Sequence, residues 1–112
     1  MIQGVHAMFY STDAEATRAF LRDQLCLTTH DIGEGWLIFD APEADLGCHP
    51  AEKPSHDISF YCKDIEITLA ELRERGVSIK TDITDAGWGF VTNMEVPGVG
   101  PVGLYQPKYQ KG

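Results

Sequence analysis

The sequence predicts an α+β fold: two tandem βαβββ modules forming a curved mixed sheet with a concave pocket. Three observations carry the prediction. A β-branched and aromatic run beginning at His56 switches at Asp64 to helical spacing and stops at Gly76. A similar run begins at His6: Asp13, Glu15 and Thr17 stand 51 residues before Asp64, Glu66 and Thr68, Leu21 and Leu72 keep that spacing, and His6 and His56 are 50 apart. After each helix come short strand-like runs punctuated by glycine and proline. A repeat of this length implies two copies of one supersecondary unit sharing a core.

The second unit has the clearer pattern. Asp64 is a helix N-cap, because its carboxylate can accept from the free N–H groups of the first turn. Ile65, Leu69 and Leu72 fall on one helical face, while Glu66, Glu71, Arg73 and Arg75 lie mostly elsewhere. Gly76 supplies the left-handed residue that ends the helix.

The first unit opens with a strand over Val5 to Tyr10, alternation placing Val5, Ala7 and Phe9 on one face and His6, Met8 and Tyr10 on the other. Thr12 or Asp13 caps a helix over 14–24, and Thr12 with Glu15 fits a capping box. A turn at Gly33–Gly35 leads into a strand over Trp36–Phe39, ended by Pro42. Asp45–His49 reads as a further short strand, and Pro50–Ser55, with two prolines, as a linker between halves. After the second helix, Val77–Ile83 alternates as a strand and Gly87–Gly89 makes a turn. Phe90–Val96 forms the next strand, Pro97–Pro101 a turn, and Val102–Gln106 the last strand. The expected organisation is one domain over 1–112, with modules at 1–52 and 55–108.

Composition bounds the function. A chain of 112 residues with 43% hydrophobic residues can bury a core, and its net charge of −8 disfavours nucleic acid or an anionic membrane as partner. A cationic or neutral small ligand suits it better. Cys26, Cys48 and Cys62 are odd in number and lack C-x-x-C spacing, so buried free thiols in a reducing compartment are expected. The first residues carry no basic segment and no long apolar run, and nothing approaches the ~20 apolar residues of a membrane span. A cytoplasmic location without a signal peptide is the expectation.

With those elements in place, the chain resembles the vicinal oxygen chelate superfamily, which includes glyoxalase I, extradiol dioxygenases, and fosfomycin- and bleomycin-resistance proteins. The resemblance covers nearly the whole chain. It rests on the doubled pattern, on HDISFYCKDIE at 56–66 with its helix and Gly76, on Gly87–Gly89, and on Val96-Pro-Gly98 before Gly103–Pro107. Metal-dependent members place a ligand on the first and last strand of each module. The resemblance therefore implies His6 and His56 as candidate metal ligands, with Asp45 as the third, or His49 in another register. The fourth position, a glutamate in glyoxalase I, falls on Gly103.

The missing side chain has consequences. Two imidazoles and one carboxylate could still hold a divalent ion such as iron, manganese, zinc or nickel and polarise a substrate with two oxygens. Standard glyoxalase I activity is not expected, because that chemistry also uses carboxylates to move protons. The reading favoured by the resemblance is a small-molecule-binding protein, extending to a metal-dependent lyase or dioxygenase-type enzyme. The alternative is a metal-free binding or sequestering protein of the bleomycin-resistance type. Trp36, Trp88 and Tyr105 are candidate substrate-binding residues, since aromatic faces stack on flat or cationic compounds. Phe39 and Phe60 read as core, and His30 as a surface turn residue. A homodimer is expected by analogy with members of this size.

Overall fold

A computed structural model describes residues 6–34, 37–41, 43–45 and 50–110. Helix α1 (Ala14–Ala19) starts at Asp13, whose carboxylate accepts from the Ala16 N–H at 3.1 Å. It runs directly into a π-helical turn over Phe20–Gln24, so the predicted helix over 14–24 is present with its last turn widened. Thr17, Phe20 and Leu21 are its buried residues. Two short strands follow, β1 (Thr29–Asp31) and β2 (Leu37–Phe39), paired antiparallel with His30 opposite Ile38. The sequence pattern missed β1, and His30 is therefore a strand residue, exposed and bonded through Nε2 to Asp40 at 2.8 Å, rather than a turn residue.

Strand β3 (Ser59–Tyr61) leads to helix α2 (Ile65–Glu74). The Asp64 carboxylate accepts from the Ile67 N–H at 3.1 Å, and Gly76 adopts φ +84° beyond the last turn, as the sequence requires. Ile65, Leu69 and Leu72 are buried. The helix N-terminus is tied to the sheet, where the Gln106 side-chain oxygen accepts from the Ile65 N–H at 3.0 Å.

Strands β4 (Thr84–Asp85), β5 (Gly89–Val96) and β6 (Gly100–Pro107) complete a four-stranded sheet in the order β3-β6-β5-β4. β6 pairs parallel with β3 and antiparallel with β5. A strand followed by a helix and three antiparallel strands, the first pairing with the last, is the βαβββ unit predicted for the second half.

Two predicted strands differ. The stretch Val77–Ile83 keeps its alternation, with Val77 buried and Ile79 and Ile83 packed against the core. Yet the strand assignment there begins only at Thr84. The Glu95 N–H bonds the Ser78 carbonyl at 2.9 Å, but at the next position the Asn93 N–H bonds the Thr81 hydroxyl at 3.2 Å. A side chain has taken the place of a ladder carbonyl, which interrupts regular pairing. In the first half, residues 6–10 form no strand ladder, although Phe9 turns inward to meet Phe60 at 6.4 Å while Met8 and Tyr10 stay exposed. The predicted strand at Asp45–His49 lies outside the described residues beyond Asp45.

The core lies between the helices and one face of the four-stranded sheet: Phe20, Leu21, Ile65, Leu69, Leu72 and Val77 pack with Met94, Val96, Val102 and Leu104. Phe39 and Phe60 join its margin, as expected. The halves are stitched at the turn after β5. The Thr12 N–H bonds the Gly98 carbonyl at 2.9 Å, and the buried Thr17 hydroxyl donates to the Pro97 carbonyl. One expectation fails at Cys26, which is an exposed free thiol rather than a buried one. It sits just past the π-helical turn at φ 58°, in the left-handed conformation that reverses the chain there. Cys62 is half-buried, and Cys48 lies outside the described residues.

Candidate functional site

Period-two alternation fixes which side chains leave the core. Val102 and Leu104 are buried toward the helices, so Gly103 and Tyr105 face the other way. Their cross-strand partners follow: Ser59 opposite Gly103 and Tyr61 opposite Tyr105 on β3, Asn93 opposite Gly103 and Val91 opposite Tyr105 on β5. This face holds a cleft of about 380 Å³ bordered by Ser59, Asp82, Trp88, Asn93, Gly103 and Tyr105. That volume suits a small organic molecule.

Aromatic rings build one wall. Trp88 meets Tyr105 edge-on with ring centroids 5.2 Å apart, and Tyr61 packs on Tyr105 at 6.1 Å. Such edge contacts set the negative face of one ring against the positive rim of the next. Trp88 remains 51% exposed, so a face of the indole is available beside the cleft. The Tyr61 hydroxyl donates to the Glu43 carboxylate, and the Tyr105 and Tyr109 hydroxyls lie 3.2 Å apart. Gly87 and Gly89 flank Trp88: Gly87 takes φ +89°, and a Cβ on Gly89 would come within 2.7 Å of the Gln106 carbonyl oxygen.

The wall is clamped from outside. Lys108 bonds both oxygens of Asp85, at 2.7 and 2.8 Å, its ammonium lies 4.7 Å over the Phe90 ring, and its N–H bonds the Trp88 carbonyl at 2.9 Å. Hydrogen bonds from the Lys108 ammonium and the Gly87 N–H hold the Asp85 carboxyl below its usual range. The opposite edge of the cleft is polar, where the Thr81 and Thr92 hydroxyls pair at 2.9 Å.

At the position the family resemblance gave to a metal-ligating glutamate, the floor is Gly103. A Cβ there would stand 2.5 Å from the Ser59 Oγ and 3.2 Å from its Cβ. The serine side chain fills the space that a longer residue would need. His6 and His56 are both exposed, His56 three residues before β3, and Asp45 is exposed as well. His49 and Trp36 lie outside the described residues. Among the described residues, no group of three or more histidine, cysteine, aspartate or glutamate side chains could hold a metal ion. The described donor set therefore does not fit the divalent metal that the resemblance implied.

Of the predicted site residues, the structure brings together Trp88 and Tyr105. It adds Ser59, Tyr61, Asn93 and Tyr109, which sequence reasoning missed. A signal for Tyr61 was present: alternation through Ser59–Tyr61 puts it on the same face as the strand's first residue. Asn93 depends on the β5–β6 register, which no local pattern gives.

The sheet order, the parallel β3–β6 pair and the aromatic-walled cleft define an α+β protein of the βαβββ class. The profile of the Glyoxalase/Bleomycin resistance protein/Dioxygenase superfamily matches residues 4–96, and the chain belongs to that superfamily. No curated protein matches the chain. Among solved structures it is similar to TnmS3, an antibiotic binding protein from Streptomyces sp. CB03234, with a TM-score of 0.67 and 20% identity over 96% of this chain and 100% of that one. It is also similar to an integron cassette protein from the mobile metagenome of V. cholerae, with a TM-score of 0.59 and 12% identity over 95% of this chain and 98% of the other. At these identities the likeness is one of fold.

Proposed function

We propose that this protein binds a flat, neutral or cationic small molecule in the cleft beside Trp88 and Tyr105, and does so without a metal ion. The observation that carries this reading is the pairing of Gly103 with Ser59, which leaves a low floor next to a clamped aromatic wall. A ligand ring would stack on the exposed indole face, with Asn93 offering an amide donor and acceptor and Asp82 a negative charge at the rim. The net charge of −8 favours approach of a cation. The structural likeness to an antibiotic binding protein is consistent with sequestration as the biological role.

The test is calorimetric titration with planar cationic aromatic compounds in excess chelator. Saturable binding that Trp88→Ala weakens supports the proposal, and binding that requires added metal overturns it. A second reading, a metal-dependent lyase or dioxygenase held by His6 and His56 with Asp45 or His49, is supported by the matched positions of the two histidines in the repeat. Metal analysis of untagged protein after exposure to iron, manganese, zinc and nickel, set beside a His6→Ala, His56→Ala double variant, separates the two. Stoichiometric metal lost in the double variant would favour the enzyme. A homodimer in the reducing cytoplasm completes the proposal, and light scattering on the purified protein reads the assembly directly.

A further inference from the structure

The cleft face carries its side chains in rows that run across the strands. Ser59, Gly103 and Asn93 share one row, and Tyr61, Tyr105 and Val91 the next. Two residues along a strand set these rows about 7 Å apart. In the first row the middle strand contributes no side chain, so a gap opens over Gly103 between Ser59 and Asn93. Neighbouring strands lie about 4.8 Å apart, which puts the two flanking backbones about 10 Å from each other. The Ser59 hydroxyl leans into this gap, its Oγ 2.5 Å from where a Gly103 Cβ would stand.

The polar groups around the cleft are of two kinds. Some are satisfied within the protein: the Thr81 and Thr92 hydroxyls bond each other at 2.9 Å, and the Tyr105 hydroxyl lies 3.2 Å from that of Tyr109. The Asn93 N–H is likewise taken, by the Thr81 hydroxyl at 3.2 Å. Among the described residues, the Ser59 hydroxyl and the Asn93 side-chain amide have no such partner, and both residues are exposed on the cleft lining. The hydroxyl can donate, and the amide offers a carbonyl acceptor beside an NH2 donor in one plane. Asp82 lines the same cleft, and its charge disfavours a carboxylate in the gap.

We infer, on the reading of this cleft as a stacking site, that its ligand is a flat aromatic carboxamide whose amide lies in the gap over Gly103. The ring stacks beside Trp88 and Tyr105. Ser59 donates to the amide carbonyl, and the Asn93 side-chain oxygen accepts from the amide NH2. The separation of about 7 Å between rows fits a six-membered ring and a hydrogen bond of about 2.9 Å to its exocyclic amide. Asn93 is then the residue that sets specificity, telling an amide from a ketone or ester of the same shape.

Calorimetric titration of the whole chain compares quinoline-3-carboxamide with 3-acetylquinoline, which keeps ring and carbonyl but carries methyl in place of NH2. Both flanking side chains stay hydrated without ligand, so the carboxamide is expected to bind about three- to tenfold more tightly, the net worth of one hydrogen bond. Asn93→Ala should erase that difference, whereas Asn93→Asp, which retains an acceptor oxygen, should keep it. Ser59→Ala should weaken both compounds, since both carry the carbonyl, and Trp88→Ala should weaken both while preserving the difference. Equal affinities in the natural protein, a difference that survives in Asn93→Ala or vanishes in Asn93→Asp, or no loss in Ser59→Ala each overturn the inference. The stacking reading still stands in those cases if Trp88→Ala weakens both quinolines. No binding of either quinoline overturns the inference as well, and 9-aminoacridine then separates the two: its binding keeps the stacking reading, and its failure to bind removes that too.

Discussion

Ser59 and Gly103 face each other across the parallel β3–β6 pair so closely that a Cβ on Gly103 would lie 2.5 Å from the Ser59 Oγ. That contact makes the absence of a side chain at 103 a packing requirement of the cleft floor. Gly103→Ala is expected to destabilise the fold by about 1 kcal/mol as the serine is driven from its rotamer. Ser59→Gly should recover most of that loss. Chemical denaturation of the two single variants and the double variant reads the coupling, and additive effects would contradict it.

Gly98 joins the halves. It sits at φ +79°, and a Cβ there would overlap the Ser11 Oγ and approach the Asp13 nitrogen at 2.9 Å, at the cap of α1. Gly98→Ala therefore combines left-handed strain with a clash against the helix cap, and is expected to cost roughly 2–3 kcal/mol. Thermal unfolding checks this. A change within a few tenths of a kcal/mol would mean that α1 does not depend on this turn.

The Asp85–Lys108 clamp gives a pH dependence with a defined sign. The folded carboxyl is held below its usual range, chiefly by the Lys108 hydrogen bond, so its contribution is present above the unfolded value near 3.9 and is lost as pH falls through the folded one. Asp85→Asn should lower stability at neutral pH, and the gap should close in acid. Because the pair is exposed, the gap will be small. Parallel stability–pH curves would contradict the clamp.

Thiol chemistry separates the described cysteines. Burial pushes the Cys62 thiol above its usual range, and a nearby Asp64 charge adds to this against an opposing hydrogen bond with Thr68. Cys26 is exposed. Iodoacetamide at neutral pH should modify Cys26 first and Cys62 slowly, as thiolate fraction and access dictate. Peptide mass mapping over time reads the order, and faster labelling of Cys62 would contradict the packing beside α2.

The fold of the second half was legible because its signals are local: Asp64 caps, Gly76 stops, and Ile65, Leu69 and Leu72 share one face. β1 was missed because Thr29–Asp31 is three residues long and gains its order only from pairing with Leu37–Phe39. Val77–Ile83 read as a regular strand because nothing in its alternation reveals that the Thr81 hydroxyl takes over a ladder bond. At the site, Trp88 stood out through its flanking glycines and Tyr105 as an aromatic residue of the last strand. Ser59 and Asn93 did not, since only the register of three strands brings them to one face. The paired histidines were read from the repeat, and both are exposed.

The most direct test of a metal-free aromatic cleft is calorimetric titration of 9-aminoacridine into the protein in excess chelator, repeated with Trp88→Ala. Removing a stacking anchor of this kind costs about 1–2 kcal/mol, so saturable binding in the natural protein and an affinity roughly tenfold weaker in the variant are expected. Binding of equal strength in both proteins, or binding that appears only when a divalent metal replaces the chelator, would contradict it.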